Sequence, residues 1–340
     1  MRKMMKILFS LAMLLGLFTN TASAENGTTN TNAVGHDMYV DVAAATLWVG
    51  PNAARPLDEP SLTNPVDLRS WTTGMSYEEK LWLVGELETQ ALYGQKVRVL
   101  EQQGDWVKVA VYGQPTPRNS LGYPGWMPLA QLTASDRFKH AEGKPFALIT
   151  SPTAWLSKAP FGHDKDLELS YNTRLPVLKE LSNTIAVLTP QGKVRWLDAK
   201  DAKVYKSDID IPVPTGEALV EEAKKFLGLP YLWAGAAGFG YDCSGFTHTI
   251  HKANGITIPR DSGPQSREGL IVDKDKLQPG DLMFFAYNEG KGSVHHVAMY
   301  AGNGMMIHSP NTASTVRMDP ISTPAYAVEF SVARRYVPQQ

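Results

Sequence analysis

The chain has 340 residues, of which 43% are apolar, and it carries 33 basic and 34 acidic side chains. This charge balance argues against a nucleic-acid-binding protein, and the length allows two or three domains. Cys243 is the single cysteine, which excludes an internal disulfide. Its thiol therefore packs as a small apolar group, joins another chain or takes part in chemistry.

Residues 1–24 have the pattern of a secretory signal peptide. Three basic residues precede an apolar stretch over residues 7–18, and small residues end the segment at Ala24. The stretch is shorter than the about 20 residues of a membrane-spanning helix. Removing the three basic residues from the chain's 33 leaves 30 against 34 acidic ones. We predict cleavage near Ala24 and a secreted or cell-envelope protein (periplasm or cell wall). Its mature form has no membrane segment and starts with a disordered polar leader over residues 25–37.

Short alternating apolar runs separated by Pro, Gly, Asn and Asp are typical of β-strands and fill residues 38–208. Residues 97–100 and 106–109 flank Gln103-Gly104-Asp105, which predicts a hairpin.

This β region also repeats in outline. Residues 45–48 resemble 153–156, and residues 125–129 resemble 194–198; each of these segments contains a tryptophan. Because a sheet that closes on itself hides its edges, we predict two small β-barrels. The barrels cover residues 38–135 and 136–208. A helix over residues 76–87, capped by Ser76, interrupts the first.

The sequence pattern changes from strands to helices at the start of the third domain, residues 209–340. Ile211-Pro212-Val213-Pro214 predicts a stiff linker, and helices are predicted over residues 215–227 and 244–253. Strand candidates follow at residues 281–285, 296–300, 305–308 and 332–337. Helices followed by an antiparallel sheet predict an α+β fold.

Cys243 lies at the start of the second of these helices. Unpaired N–H groups and the helix dipole favour an anion there, so we expect a lowered thiol pKa and a nucleophilic thiolate. Gly245 allows another backbone or a substrate to approach closely. The N–H groups after Asp242 can hold a developing oxyanion.

A thiolate nucleophile needs a base, and His296 and His308 are the candidates. Their strands can form a hairpin around residues 301–304, although the sequence leaves open whether the two rings face the same way. If they do, one ring contacts Cys243 and the other orients the first. His295 is the alternative base.

Cys243 could also belong to a metal site. His248 and His251 lie three residues apart on the Cys243 helix, but no convincing fourth ligand accompanies these three residues. We therefore predict neither a metal nor another cofactor.

Four motifs, in order and spacing, resemble the NlpC/P60 family of bacterial cell-wall cysteine peptidases over residues 215–337. The motifs are Leu229-Pro230-Tyr231-Leu232-Trp233-Ala234-Gly235, Asp242-Cys243-Ser244-Gly245-Phe246, Leu277-Gln278-Pro279-Gly280-Asp281-Leu282-Met283-Phe284-Phe285 and His296-Val297-Ala298-Met299-Tyr300. The resemblance implies a papain-like α+β catalytic domain preceded by two SH3-like barrels. It also implies Cys243 as nucleophile, His296 as base and His308 as the residue that orients the base.

The two barrels, together with Arg260-Asp261-Ser262, look like those of γ-D-glutamyl-L-diamino acid endopeptidases, in which the first barrel leans over the active site. This resemblance implies that Glu88 receives the substrate's free amino end and that Tyr123 lies beside it. It further implies substrate contacts and wall residues at Asp242, Ser244, Asp261, Ser262, Tyr231 and Trp233. Buried carboxylates suit an ammonium group when the charges match.

The expected function is hydrolysis of the bond between γ-D-glutamate and a diamino acid (diaminopimelate or lysine) in peptidoglycan stem peptides with a free N-terminal L-Ala. Stem peptides are the expected partners, and no nucleic acid or obligate protein partner is implied. One alternative is a hydrolase or amidase acting on the intact wall. A second is a wall-binding protein without catalysis, against which Cys243, His296 and His308 together argue.

Overall fold

The computed structural model describes residues 33–160 and 162–337. The predicted signal peptide, and the predicted leader up to residue 32, lie outside the described residues. The rest of the predicted leader reaches into the first sheet: the N–H of Gly35 donates to the carbonyl of Val99 at 2.9 Å, and the first strand begins at Asp37. No helix within the described ranges is long and apolar enough to cross a lipid bilayer.

The first sheet has seven strands. They are β1 (Asp37–Val40), β2 (Ala44–Trp48), β3 (Leu87–Leu92), β4 (Lys96–Gln103), β5 (Trp106–Val111), β6 (Tyr123–Pro128) and β7 (Leu132–Thr133). Their order is β3-β2-β6-β5-β4-β1-β7. The predicted hairpin is confirmed as β4 and β5: Gln103 pairs with Trp106, and Gly104 has the positive φ of +58° that glycine accepts readily.

A helical insertion joins β2 to β3. It contains α1 (Leu68–Gly74) and α2 (Tyr77–Trp82). The predicted cap is confirmed, since the Ser76 hydroxyl accepts from the Glu79 N–H at 3.2 Å and the Glu79 carboxylate accepts from the Ser76 N–H at 2.7 Å. The helix is shorter than predicted because Leu87 already belongs to β3. α1 was not predicted.

The second sheet follows α3 (Asp136–Lys139). Its strands are β8 (Phe146–Ile149), β9 (Thr153–Ser157), β10 (Lys165–Ser170), β11 (Arg174–Glu180), β12 (Thr184–Leu188), β13 (Val194–Asp198) and β14 (Ala202–Tyr205). Their order, β10-β9-β13-β12-β11-β8-β14, repeats the first sheet strand for strand. The resembling sequence segments lie on the equivalent strands β2 and β9, and β6 and β13, so the internal repeat of the sequence has a structural counterpart.

The third unit combines helices with an antiparallel sheet. Its elements are α4 (Gly216–Lys224), β15 (Ala236–Ala237), β16 (Gly240–Tyr241), α5 (Cys243–Ala253), α6 (Ser262–Gln265), β17 (Leu270–Val272), β18 (Leu282–Ala286), β19 (Val294–Gly302), β20 (Met305–His308), β21 (Arg317–Pro320), α7 (Pro324–Glu329) and β22 (Phe330–Arg335). The larger sheet has the order β17-β22-β18-β19-β20-β21. Both predicted helices and all four predicted strands are confirmed, whereas β17 and β21 were not foreseen.

The first sheet packs directly against the segment that precedes α5. Trp48 and Trp71 share a buried apolar cluster with Leu232 and Phe239. The indole N–H of Trp233 donates to the carbonyl of Leu87 at 3.1 Å. Large buried aromatic rings supply most of the apolar contact in such a junction. As a result, β3 lies beside the start of α5.

Candidate active site

A cleft of about 900 Å³ lies where the first sheet meets α5 and β19. Cys243 and His296 line this cleft, and His308 is fully buried behind His296. All the residues predicted to contact substrate line it too: Glu88, Tyr123, Tyr231, Trp233, Asp242, Ser244, Asp261 and Ser262. The fold therefore brings side chains more than a hundred residues apart to one surface.

Cys243 is the first residue of α5. Asp242 precedes it as the cap, and its carboxylate accepts from the N–H of Gly245 at 2.6 Å. A Cβ on Gly245 would come within 2.1 Å of the Gly235 carbonyl oxygen. The predicted close backbone approach is therefore present, and residue 245 has to be glycine for the turn before α5 to pack against the helix.

The expectation of a lowered thiol pKa is wrong for this state of the site. Burial raises the pKa of Cys243 to about 12, and the negative charge of Asp242 adds to the rise. Hydrogen bonds from the backbone N–H groups of Val297 and Ser244 lower the thiol pKa, as predicted, but burial raises it by more. Desolvation thus exceeds the helix-terminus effect, and the resting thiol is neutral.

The two predicted histidines face each other across the β19–β20 hairpin. Met299 pairs with Ile307, and continuing this register places His308 opposite Ala298, on the same face as His296. His296 Nε2 lies 2.8 Å from His308 Nδ1. Burial lowers the pKa of both imidazoles. Each ring is therefore neutral at rest, and Nδ1 of His296 is the nitrogen left for the thiol.

The chain of contacts continues past His308 to a residue that sequence reasoning missed. His308 Nε2 lies 3.0 Å from the carboxylate Oδ2 of Asp319, which also accepts from Arg317 Nε at 2.9 Å. Both charged residues belong to β21. Because that strand is short and polar, its sequence carried no strand signal.

The alternative base, His295, and the two candidate metal ligands, His248 and His251, have other partners. His295 Nε2 lies 3.1 Å from the Glu329 carboxylate, and its ring stacks on Tyr287. His248 Nδ1 and His251 Nδ1 lie 2.9 and 2.8 Å from the carbonyls of Ile258 and Thr247. In residues 33–160 and 162–337, no cluster of three or more His, Cys, Asp or Glu residues could hold a metal ion.

A buried guanidinium, that of Arg260, fixes the turn before Cys243. Its two terminal nitrogens donate to the oxygens of Asp242 at 3.2 and 2.9 Å, and Nη1 also donates to the Ser244 hydroxyl at 3.1 Å. Nε donates to the Thr89 hydroxyl on β3 at 3.0 Å. Arg260 thus ties the cap of α5 to the first sheet. Both carboxylate oxygens of Asp242 are engaged within the protein, which makes this side chain a poor partner for a substrate amine.

Glu88 is paired inside the protein as well. Arg118, which was not foreseen, donates to both of its carboxylate oxygens, in one case at 2.7 Å, and to the Tyr123 hydroxyl at 3.2 Å. The hydrogen bond to Glu88 holds the pKa of Arg118 above its usual value. The loop over residues 114–122 that carries Arg118 gave no functional pattern in the sequence.

Asp261 is the least compensated carboxylate of the cleft. Its two oxygens accept from the Tyr123 hydroxyl at 3.1 and 3.0 Å, and no other donor to this carboxylate occurs in the described part of the chain. Burial raises the pKa of Asp261, opposed by the positive charge of Arg260 and by the Tyr123 hydrogen bond. This carboxylate is therefore the group that gains most from an incoming cation.

A buried thiol at a helix N-terminus, which lines the same cleft as an imidazole held by a second imidazole in an α+β domain, defines a peptidase of the cysteine class. The NlpC/P60 family profile matches residues 228–335, and that of the YKFC SH3b2 domain matches residues 149–205. With near-full-length relatives also matching, the chain belongs to the NlpC/P60 family, with that family's catalytic fold and an SH3b-like domain.

Two curated relatives extend over most of the chain. A γ-D-glutamyl-L-lysine dipeptidyl-peptidase of Bacillus cereus is 58% identical, covering 88% of this chain and 91% of its own length. A protein of the same name from Bacillus subtilis is 40% identical, covering 86% and 96%. The crystal structure of an NlpC/P60 family protein from B. cereus superposes with a TM-score of 0.87 at 57% identity, covering 89% of this chain and all of that one.

Proposed function

We propose that this protein is a cysteine endopeptidase that cleaves the bond between γ-D-glutamate and lysine or diaminopimelate in stem peptides bearing a free N-terminal L-Ala. The observation that carries the proposal is the near-full-length similarity, at 58% identity, to a γ-D-glutamyl-L-lysine dipeptidyl-peptidase. The common cleft of Cys243, His296 and Asp261 supports it.

In the proposed mechanism Cys243 is the nucleophile and His296 the base. Because both groups are neutral at rest, His296 takes the thiol proton as the sulfur attacks the γ-carbonyl carbon. The imidazolium then protonates the amine of the diamino acid, which leaves, and a thioester remains. Water, deprotonated by His296, attacks the thioester and releases L-Ala-γ-D-Glu, and the imidazolium returns the proton to the departing sulfur of Cys243. The buried His308 orients the base throughout.

Recognition of the free amine is assigned to the first-sheet side of the cleft. Asp261 and the Tyr123 hydroxyl are its nearest suitable partners, with Glu88 beside them. Asp242 and Ser244 act through Arg260 rather than by pairing with the amine. Tyr231, Trp233 and Ser262 form the wall along which the peptide lies. A stem whose L-Ala is acylated leaves Asp261 buried without a cation and is rejected.

The architecture around the catalytic unit belongs to the same proposal. Residues 38–135 and 136–208 form two SH3-like barrels, supported by the identical strand order of the two sheets, and the catalytic unit is papain-like. The N-terminal pattern of residues 1–24 supports export by a signal peptide. The enzyme then acts in the cell envelope or outside the cell.

The test compares three substrates with wild type and with Cys243→Ala. The substrates are L-Ala-γ-D-Glu-L-Lys, its diaminopimelate counterpart and the N-acetylated form of the lysine peptide. Wild type is expected to release L-Ala-γ-D-Glu from the first two and little from the third, and Cys243→Ala to release none. Equal product from both proteins, or none from either, overturns the catalytic assignment. Faster release from intact sacculi than from free tripeptide would instead favour a wall hydrolase or amidase.

A further inference from the structure

Asp319 ends a line of hydrogen bonds that begins at His296. On β21 it lies opposite Met306, and because side chains alternate along β20, Asp319 and His308 share one face of the sheet. Its Oδ2 lies 3.0 Å from His308 Nε2. Arg317 Nε donates to the same oxygen at 2.9 Å and fixes the carboxylate.

This line of contacts determines where the ring protons sit. A carboxylate only accepts hydrogen bonds, so Nε2 of His308 carries the proton. In a neutral imidazole Nδ1 of His308 is then an acceptor, and His296 Nε2, 2.8 Å away, must be the donor. Neutral His296 is left with its lone pair on Nδ1. A base that must accept a thiol proton needs that tautomer.

Other groups around the two rings do not make this selection. The Tyr326 ring packs against both imidazoles, with centroid distances of 5.8 and 5.2 Å, and contributes an aromatic face. His295 adds a nearby charge only when protonated, and it lies against Glu329. Arg317 is the remaining charged neighbour of His308 and already donates to Asp319.

We propose that Asp319 is a positioning residue: it holds His308 in the tautomer that makes His296 a base toward Cys243. The inference rests on the proposed function for its kinetic readout. Its structural statement, that His308 is protonated on Nε2, stands independently of any substrate.

Two substitutions separate the tautomer from the charge. Asp319→Leu removes acceptor and charge, so His308 can adopt the other tautomer and His296 can present an N–H to the thiol. In Asp319→Asn, Arg317 keeps the amide oxygen turned toward His308, because a flipped amide would bring an NH₂ group against the guanidinium. The asparagine variant therefore retains the tautomer and loses only the negative charge.

The expected kinetics follow from these roles. Asp319→Leu should lower kcat for the free tripeptide by about 10- to 100-fold with little change in KM. Asp319→Asn should retain most of the wild-type kcat in the pH-independent part of the profile. Because the Asp319 carboxylate favours the charged form of His308 and, through it, of His296, its loss should move the acid limb of the kcat profile to lower pH in both variants. Asp273→Asn, which alters an exposed ion pair with Lys276, is the control and should match wild type.

The deciding experiment combines these pH–rate profiles with ¹⁵N NMR of histidine-labelled protein, with His308 assigned by difference from His308→Asn. Wild type and Asp319→Asn should show His308 protonated on Nε2, and Asp319→Leu should not. The inference is overturned if Asp319→Leu has the kcat and the pH profile of wild type. It is also overturned if NMR shows His308 protonated on Nδ1 in wild type. If Asp319→Leu does not fold, wild-type NMR and the asparagine profile still decide. If wild type cleaves none of the peptides, the proposed function fails while NMR still tests Asp319.

Discussion

Replacing Arg260 with methionine should destabilise the protein and disturb the cleft at the same time. The guanidinium is 1% exposed and donates to Asp242, Ser244 and Thr89. Methionine fills a similar volume but supplies none of these donors. The substitution therefore leaves the Asp242 carboxylate buried, with the Gly245 N–H as its main remaining partner, and cuts a link between α5 and the first sheet.

The expected magnitude follows from that orphaned charge. Removing one partner of a buried ion pair costs about 3–5 kcal/mol in the free energy of unfolding. Adding Asp242→Asn removes the charge while its amide oxygen can still accept from Gly245. The double variant should therefore recover about 0.5–3 kcal/mol relative to the sum of the single effects.

Urea unfolding followed by circular dichroism measures these free energies of unfolding. The KM for the tripeptide measures whether the cleft still binds substrate. Arg335→Met is the matched control, because Arg335 forms a comparable pair with buried Asp281 outside the cleft. The control should lose stability and keep its KM, whereas Arg260→Met should also raise KM. A loss below about 1 kcal/mol for Arg260→Met, or a double variant equal to the sum of the singles, would refute the reasoning.

Three further outcomes are expected. Glu88→Gln should raise KM for the free tripeptide by about 10-fold or more, because Arg118 loses its charged partner and its positive charge then repels the amine, and should leave the N-acetyl peptide unaffected; equal effects on both peptides would contradict the amine assignment. Since burial raises the pKa of Asp261, its negative charge should disappear at a higher pH than that of an ordinary carboxyl group. KM for the free tripeptide should then rise as the pH falls through that value, and the same rise in Asp261→Asn would exclude Asp261 as its source. With a thiol pKa of about 12, alkylation of Cys243 by iodoacetamide should increase about tenfold per pH unit between pH 7 and 10; a rate that is already maximal at pH 7 would show a resting thiolate.

Features encoded by neighbouring residues could be read from the sequence. The cap of α2, the β4–β5 hairpin and the β19–β20 hairpin depend on contacts between residues close in the chain. Whether the side chains of His296 and His308 lie on the same face of the hairpin was the one local feature that the sequence left open. The register after the Asn303–Gly304 turn decides it, and a shift of one residue would have turned one ring away.

Features that depend on burial or on distant partners were missed or wrong. The thiol pKa was expected to fall because the helix N-terminus is visible in the sequence, whereas the desolvation that raises it is a property of the assembled core. Asp319 was missed because β21, at the end of the strand order beside β20, carries alternating charges and a proline instead of an apolar pattern. Arg118 was missed because its partner Glu88 lies thirty residues earlier, on β3.

The charges of the cleft explain why the first sheet belongs to the proposed site. Arg118 balances Glu88 and Arg260 balances Asp242, so the remaining negative charge resides on Asp261 beside Tyr123. One ammonium group would neutralise it. Tyr123 and Glu88 come from the first sheet, and Val49 and Val84, in the connections next to β2 and β3, also line the cleft. Under the proposed function, a stem whose L-Ala is linked to a sugar brings no ammonium group and leaves the charge of Asp261 unpaired.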